Sequence, residues 1–112
     1  MLSVEQTIST VEAAVTNYGM TTFKVKVADS TPESLASDEL RVKAVRSTLD
    51  RLGIEGKIRI DVNGQWNLEL AMQAIPILEQ AAGGLDYIEQ PCSTIAELIE
   101  LKNRMRSWTQ PI

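Results

Sequence analysis

Apolar and polar positions along this chain switch between two periods, and each switch marks an element. Val4, Ile8, Val11, Val15 and Tyr18 recur at helical spacing. Ser3 followed three residues later by Gln6 has the form of a capping box in front of them, and Gly19 supplies a stop. Residues 22–27, Thr-Phe-Lys-Val-Lys-Val, change to period two, which sends Phe23, Val25 and Val27 to one face and Lys24 and Lys26 to the other. The polar run Asp29-Ser30-Thr31-Pro32-Glu33-Ser34 predicts a turn-rich loop, the longest connection in the chain. A second helix is expected from Ser37 or Asp38 to Leu52, with Val42, Val45, Leu49 and Leu52 as its apolar stripe and Gly53 beyond its end.

Residues 58–62 predict the next strand, with Ile58, Ile60 and Val62 on one face and Arg59, Asp61 and Asn63 on the other. Asn67 suits an N-cap for a third helix through Leu68, Ala71, Ile75, Leu78 and Ala82, closed by Gly83-Gly84. Pro76 is a misfit there: in a helix interior proline costs about 3 kcal/mol, so a kink or break is expected near Met72 and Gln73. Residues 85–89 form a short third strand that Pro91 ends, because proline cannot donate to a ladder. Thr94 and Glu97 repeat the capping-box pattern ahead of Leu98, Leu101 and Met105. The tail Trp108-Thr109-Gln110-Pro111-Ile112 reads as a loop leading into a further strand.

The order is therefore α-β-α-β-α-β-α, with strand starts about thirty residues apart, as in successive βα units. Such units make right-handed crossovers and a parallel sheet covered by helices. An open three-layer sandwich and a segment of a (β/α)8 barrel both satisfy the pattern. A complete barrel takes roughly 250 residues, so 112 residues amount to under half of one.

Bulk properties narrow the function. Eleven basic against fifteen acidic residues give a net charge of −4, with no Lys/Arg cluster on one face, which argues against a nucleic-acid partner. No apolar run approaches the ~20 residues that span a bilayer, and the N-terminus lacks a basic region followed by an apolar one. The single cysteine, Cys92, forbids an internal disulfide and suits a reducing cytosol, so a soluble cytoplasmic protein is expected. Histidine is absent, which removes His-based triads, proton shuttles and metal sites.

Charges alternating along strands of a parallel sheet need a reason, because both faces are ordinarily apolar. Two lysines on one face repel each other, and desolvation with a neighbouring ammonium lowers a lysine pKa toward that of a usable base. Asp61 and Glu89 would end adjacent strands, where two carboxylates can share a hard cation such as Mg²⁺. A lysine base beside a metal suits proton abstraction next to a substrate carboxylate, with the cation stabilising the enediolate; the pairing is one known from enolase-type sites. Plainer readings stand beside these. Lys24 and Lys26 could be the solvated face of an edge strand, Asp61 with Asn63 turn chemistry before Gly64, and Glu89 half of a structural ion pair. Arg59 could bind an anion or pair with Glu89 or Asp61, while Cys92, Trp66 and Trp108 suit packing.

Lys24-Val25-Lys26, Asp61-Val62-Asn63-Gly64 and Ile88-Glu89-Gln90-Pro91-Cys92, in this order and spacing, resemble the muconate-lactonizing subgroup of the enolase superfamily, and within it the o-succinylbenzoate synthases of actinobacterial type. The resemblance runs from about Gly19 to Ile112; related racemases, epimerases and cycloisomerases share the same elements. It implies a TIM-barrel fold, Lys26 as catalytic base and acid, Lys24 as its supporting lysine, Asp61 and Glu89 as two of three Mg²⁺ ligands, and Asn63 as support for the metal shell. It implies a small carboxylate substrate and a dehydration, carbon–oxygen lyase chemistry, in menaquinone biosynthesis. Against that pattern the N-terminal capping domain, the first barrel strand and the strand with the third ligand are missing, so the chain reads as one partial barrel domain over 1–112, spanning the second to fourth strands. Two expectations follow: the chain is inactive by itself, and its open sheet edges or exposed inner face drive self-association. A free-standing cation-binding α/β module like a flavodoxin-type receiver, and a non-catalytic interaction fragment, are the alternatives.

Overall fold

The computed structural model describes residues 3–27 and 32–105. Seven elements follow one another: α1 (Val4–Tyr18), β1 (Thr22–Lys26), α2 (Pro32–Arg51), β2 (Lys57–Asp61), α3 (Leu68–Ala82), β3 (Tyr87–Glu89) and α4 (Ile95–Arg104). The expected alternation is present in full.

Local chemistry accounts for most boundaries. Ser3 Oγ accepts the Gln6 N–H while Gln6 Oε1 accepts the Ser3 N–H, so two orphan donors of α1 are satisfied reciprocally. Asn67 caps α3 by accepting the Leu70 N–H at 2.8 Å. At α4 the cap is half of what the pattern suggests: Thr94 Oγ1 accepts the Glu97 N–H, but the Glu97 carboxylate takes the Thr94 hydroxyl, not its backbone.

Several elements differ from expectation, β2 by a shift of one residue, to Lys57–Asp61 from 58–62. Helix α2 begins at Pro32, five residues or more ahead of Ser37, so Pro32, Glu33 and Ser34 are helical; residues 29–31 of the expected loop lie outside the described residues. Proline suits a first helical turn, where its missing N–H has no partner to lose, and Glu33 complements the helix dipole. Helix α3 runs unbroken through Pro76. Its stripe of Ala71, Ala74, Ile75, Leu78 and Ala82 is buried, and that packing outweighs the proline's local cost. Strands β1 and β3 are shorter than 22–27 and 85–89, although the Val27 N–H still bonds the Asp61 carbonyl and the Asp86 N–H the Ile58 carbonyl. Trp108, Pro111 and Ile112 lie outside the described residues.

The sheet is parallel with order β1-β2-β3. One face is packed under helices: Val25, Val27, Ile58, Ile60, Val62 and Ile88 are buried against Leu49, Ile75 and Leu78. Burying each large aliphatic side chain contributes on the order of 1.5–3 kcal/mol. The opposite face carries Lys24, Lys26, Arg59, Asp61, Tyr87 and Glu89, all exposed or half-buried. A sheet with helices on one side and ionisable groups on the other has the cross-section of a barrel wall.

Candidate active site

Parallel register brings the three strand ends together. Lys26 of β1 is the Cα partner of Asp61 in β2, and Asp61 is the partner of Glu89 in β3. The three residues therefore form one row across the sheet, at the carboxyl end of each strand, with side chains on the same face. Neighbouring strands lie about 4.8 Å apart, so the row spans roughly 10 Å. One layer deeper, Lys24, Arg59 and Tyr87 form a second row in the same register.

Lys24 crosses between the rows. Its Nζ lies 3.2 Å from Glu89 Oε2, diagonally over the central strand. The hydrogen bond to Glu89 and then the Glu89 charge hold the Lys24 ammonium above its ordinary value, with smaller upward contributions from Asp61 and Tyr87. Lys24 is therefore a firm cation, suited to holding an anion. The plain reading of Glu89 as an ion-pair partner and the reading of both lysines as exposed residues of an edge strand are both present in this geometry. Arg59 pairs with neither Glu89 nor Asp61. Its Nε bonds Asp86 Oδ2 at 2.7 Å and its guanidinium stacks over the Tyr87 ring at 4.8 Å, because Asp86 sits just ahead of β3, beside its position in the register.

The turns behind the row are strained and tied together. Asp61 Oδ1 accepts the Asn63 N–H at 3.1 Å, an Asx turn, so Asn63 meets Asp61 through its backbone. Asn63 and Gln90 both adopt left-handed backbone, with φ of 54° and 48°. Such conformations cost non-glycine residues on the order of 1 kcal/mol or more and persist where surroundings over-determine them. Here Gly64 N–H bonds Gln90 carbonyl at 2.7 Å, Trp66 N–H bonds Pro91 carbonyl at 3.1 Å, and Trp66 and Cys92 form an isolated parallel bridge. The loops leaving β2 and β3 are thus zipped one to the other, which fixes where Asp61 and Glu89 leave their strands. Gln90 carried no sequence signal of this beyond standing before a proline, a position biased away from right-handed helix. Cys92 is buried, and burial followed by the Glu97 charge pushes its thiol up, consistent with packing.

Residues 6–112 match the family model for the enolase C-terminal domain-like family. The chain belongs to this family. It is 46% identical over 91 residues to the o-succinylbenzoate synthase of Thermobifida fusca, covering 81% of this chain and 27% of that relative. The Mycobacterium leprae o-succinylbenzoate synthase is 45% identical over 87 residues, covering 78% of this chain and 24% of its own length. The chain thus spans about a quarter of these curated relatives. Among solved structures, the L-Ala-D/L-Glu epimerase of Bacillus subtilis superposes with a TM-score of 0.78 at 27% identity, over all of this chain and 29% of the epimerase. A muconate lactonizing enzyme from Mycobacterium smegmatis superposes at 0.75 with 19% identity, over 94% of this chain and 28% of that one, which speaks to fold alone. The α/β wall is therefore part of the TIM barrel of enolase-superfamily enzymes.

The donor set suits Mg²⁺, which takes hard oxygen ligands and is commonly held by one or two carboxylates with water or substrate completing the octahedron. Lys24 and the Asn63 N–H each engage one oxygen of Glu89 and Asp61, and a carboxylate has two. Among the described residues no cluster of three or more His, Cys, Asp or Glu forms a metal site, so Asp61 and Glu89 stand as a pair.

Proposed function

We propose that this segment is the proton-transfer wall of an o-succinylbenzoate synthase, a carbon–oxygen lyase that dehydrates a cyclohexadiene carboxylate in menaquinone biosynthesis. One observation carries the proposal: a lysine at 26 and carboxylates at 61 and 89 occupy consecutive register positions at one rim. In this reading Lys26 removes the proton next to the substrate carboxylate and returns it to the departing hydroxyl on the same face. Lys24, a firm cation beside Glu89, helps hold the substrate carboxylate. Asp61 and Glu89, backed by the Asn63 turn, would hold Mg²⁺, which when bound supplies positive charge where the enediolate develops. Among the described residues no helix is long and apolar enough to cross a membrane, and a small carboxylate substrate fits a cytoplasmic location.

The test is a chimera in which this segment replaces the matching part of the Thermobifida fusca synthase, assayed for dehydration. Activity is expected, falling by about 10²–10⁴ in kcat for Lys26→Ala, the usual share of general acid–base catalysis. Full activity of Lys26→Ala would refute the assignment. The 112-residue chain alone is expected to show no dehydration. Racemisation or epimerisation is the second reading, favoured by the epimerase superposition; exchange of the α-proton of L-Ala-L-Glu with solvent, without dehydration, would select it.

A further inference from the structure

The peptide joining Lys26 to Val27 is held from both sides. Its N–H, on Val27, donates to the Asp61 carbonyl at 3.0 Å. Its carbonyl, on Lys26, accepts from Nη1 and Nη2 of Arg41, each at 3.1 Å. Arg41 Nη2 also donates to Asp38 Oδ1 one helical turn earlier in α2. Both side chains are nearly inaccessible, 8% exposed for Arg41 and 1% for Asp38.

Burying two charges removes both from water, and their attraction roughly offsets that cost, so a buried pair is a poor source of net stability. What it supplies is geometry. A guanidinium is a rigid planar fork whose N–H groups converge on one acceptor. The Lys26 carbonyl also needs such a partner. The β1–β2 ladder uses Thr21 carbonyl and Val27 N–H, so the alternation of a parallel strand turns the Lys26 carbonyl away from β2, to the side where Arg41 meets it. Arg41 Nε is buried without a hydrogen-bond partner among the described residues, so this guanidinium is placed for the carbonyl and Asp38 at the expense of its own third side.

We propose that Arg41, oriented by Asp38, is a positioning residue for Lys26. It locks the peptide after Lys26 against Asp61, so that the Lys26 side chain leaves the strand on the face shared with Asp61 and Glu89. This rests on Lys26 being the proton-transfer group.

Amide hydrogen exchange on the 112-residue chain tests the clamp itself. In Arg41→Met, Val27 is expected to exchange at least about tenfold faster while Ile60 and Ile88 stay within about threefold, the pattern of a local opening and not a global one. If Arg41→Met fails to fold, Arg41→Lys, which keeps a charge beside Asp38 but not the two-pronged contact, gives the same local readout. Unchanged Val27 exchange, or equal acceleration at all three amides, overturns the proposal. In the chimera, Arg41→Lys is expected to lower kcat about tenfold with KM within about twofold, since a misplaced catalytic group loses rate and not binding. If Lys26→Ala stays active, the reading of Lys26 fails; if Lys26→Ala is inactive while Arg41→Lys keeps full kcat, the positioning role fails.

Discussion

Gly64 stands where the loop after β2 touches the loop after β3, and substituting it tests whether that contact is tight. Its φ is +70°, and a Cβ there would lie 3.1 Å from Ser93 Cα, 3.4 Å from Ser93 Cβ and 3.5 Å from the Cys92 carbonyl oxygen. Two costs follow for Gly64→Ala. A left-handed conformation at a non-glycine residue costs about 1–2 kcal/mol. The contact with Ser93 Cα adds about 1–2 kcal/mol, because the neighbour is backbone held by the Trp66–Pro91 hydrogen bond and the Trp66–Cys92 bridge, and overpacking a fixed site is destabilising. The sum is about 2–4 kcal/mol. Gly53 is the control: its φ is +71°, yet a Cβ there meets nothing within 4 Å, so Gly53→Ala carries only the first cost. Urea unfolding of both variants, followed by circular dichroism, should place Gly64→Ala at least about 1 kcal/mol below Gly53→Ala. Equal losses would refute the claim that the two loops are packed backbone to backbone.

The remaining expectations follow from other contacts. Because the Glu89 hydrogen bond and charge raise Lys24 above 10.5, the stability from this pair is present below pH 10.5 and lost as pH rises through the folded value. Glu89→Gln should therefore bring the Lys24 titration, followed by NMR, down toward 10.5 and remove that part of the alkaline loss; an unmoved titration contradicts the pairing. Ile60→Ala, at a fully buried position in the central strand, should cost about 2–5 kcal/mol in chemical denaturation; a loss under 1 kcal/mol would show that the sheet is not packed as described. Asn67→Ala removes the acceptor of the Leu70 N–H and should cost about 1 kcal/mol, with Asn67→Ser restoring most of it. Among the described residues β1 and β3 each have one unpaired edge, and we propose that the 112-residue chain self-associates through them; sedimentation showing a monomer at high concentration would rule this out.

The order and type of the elements, and which strand residues face away from the core, are legible in the pattern of side chains. Alternation in 22–27 and 58–62 separates Lys24, Lys26 and Asp61 from Val25, Ile58 and Ile60 with no knowledge of any partner strand, because that period is a property of a single strand. The caps at Ser3, Asn67 and Thr94 are legible for the same reason: donor and acceptor are three residues apart. Pro32 and Pro76 depart from the local pattern because proline suits both a loop and a first helical turn, and because burial of Ile75 and Leu78 overrides a local penalty. Only the tertiary structure decided that Lys26, Asp61 and Glu89 share one row, that Lys24 reaches Glu89 while Arg59 takes Asp86, and that Arg41 holds the Lys26 carbonyl. Each of these joins residues 15 to 65 positions apart, or sets the register of one strand on another. Hydrophobic period constrains only the face a residue takes; which residue it meets depends on crossovers and packing that no local window contains.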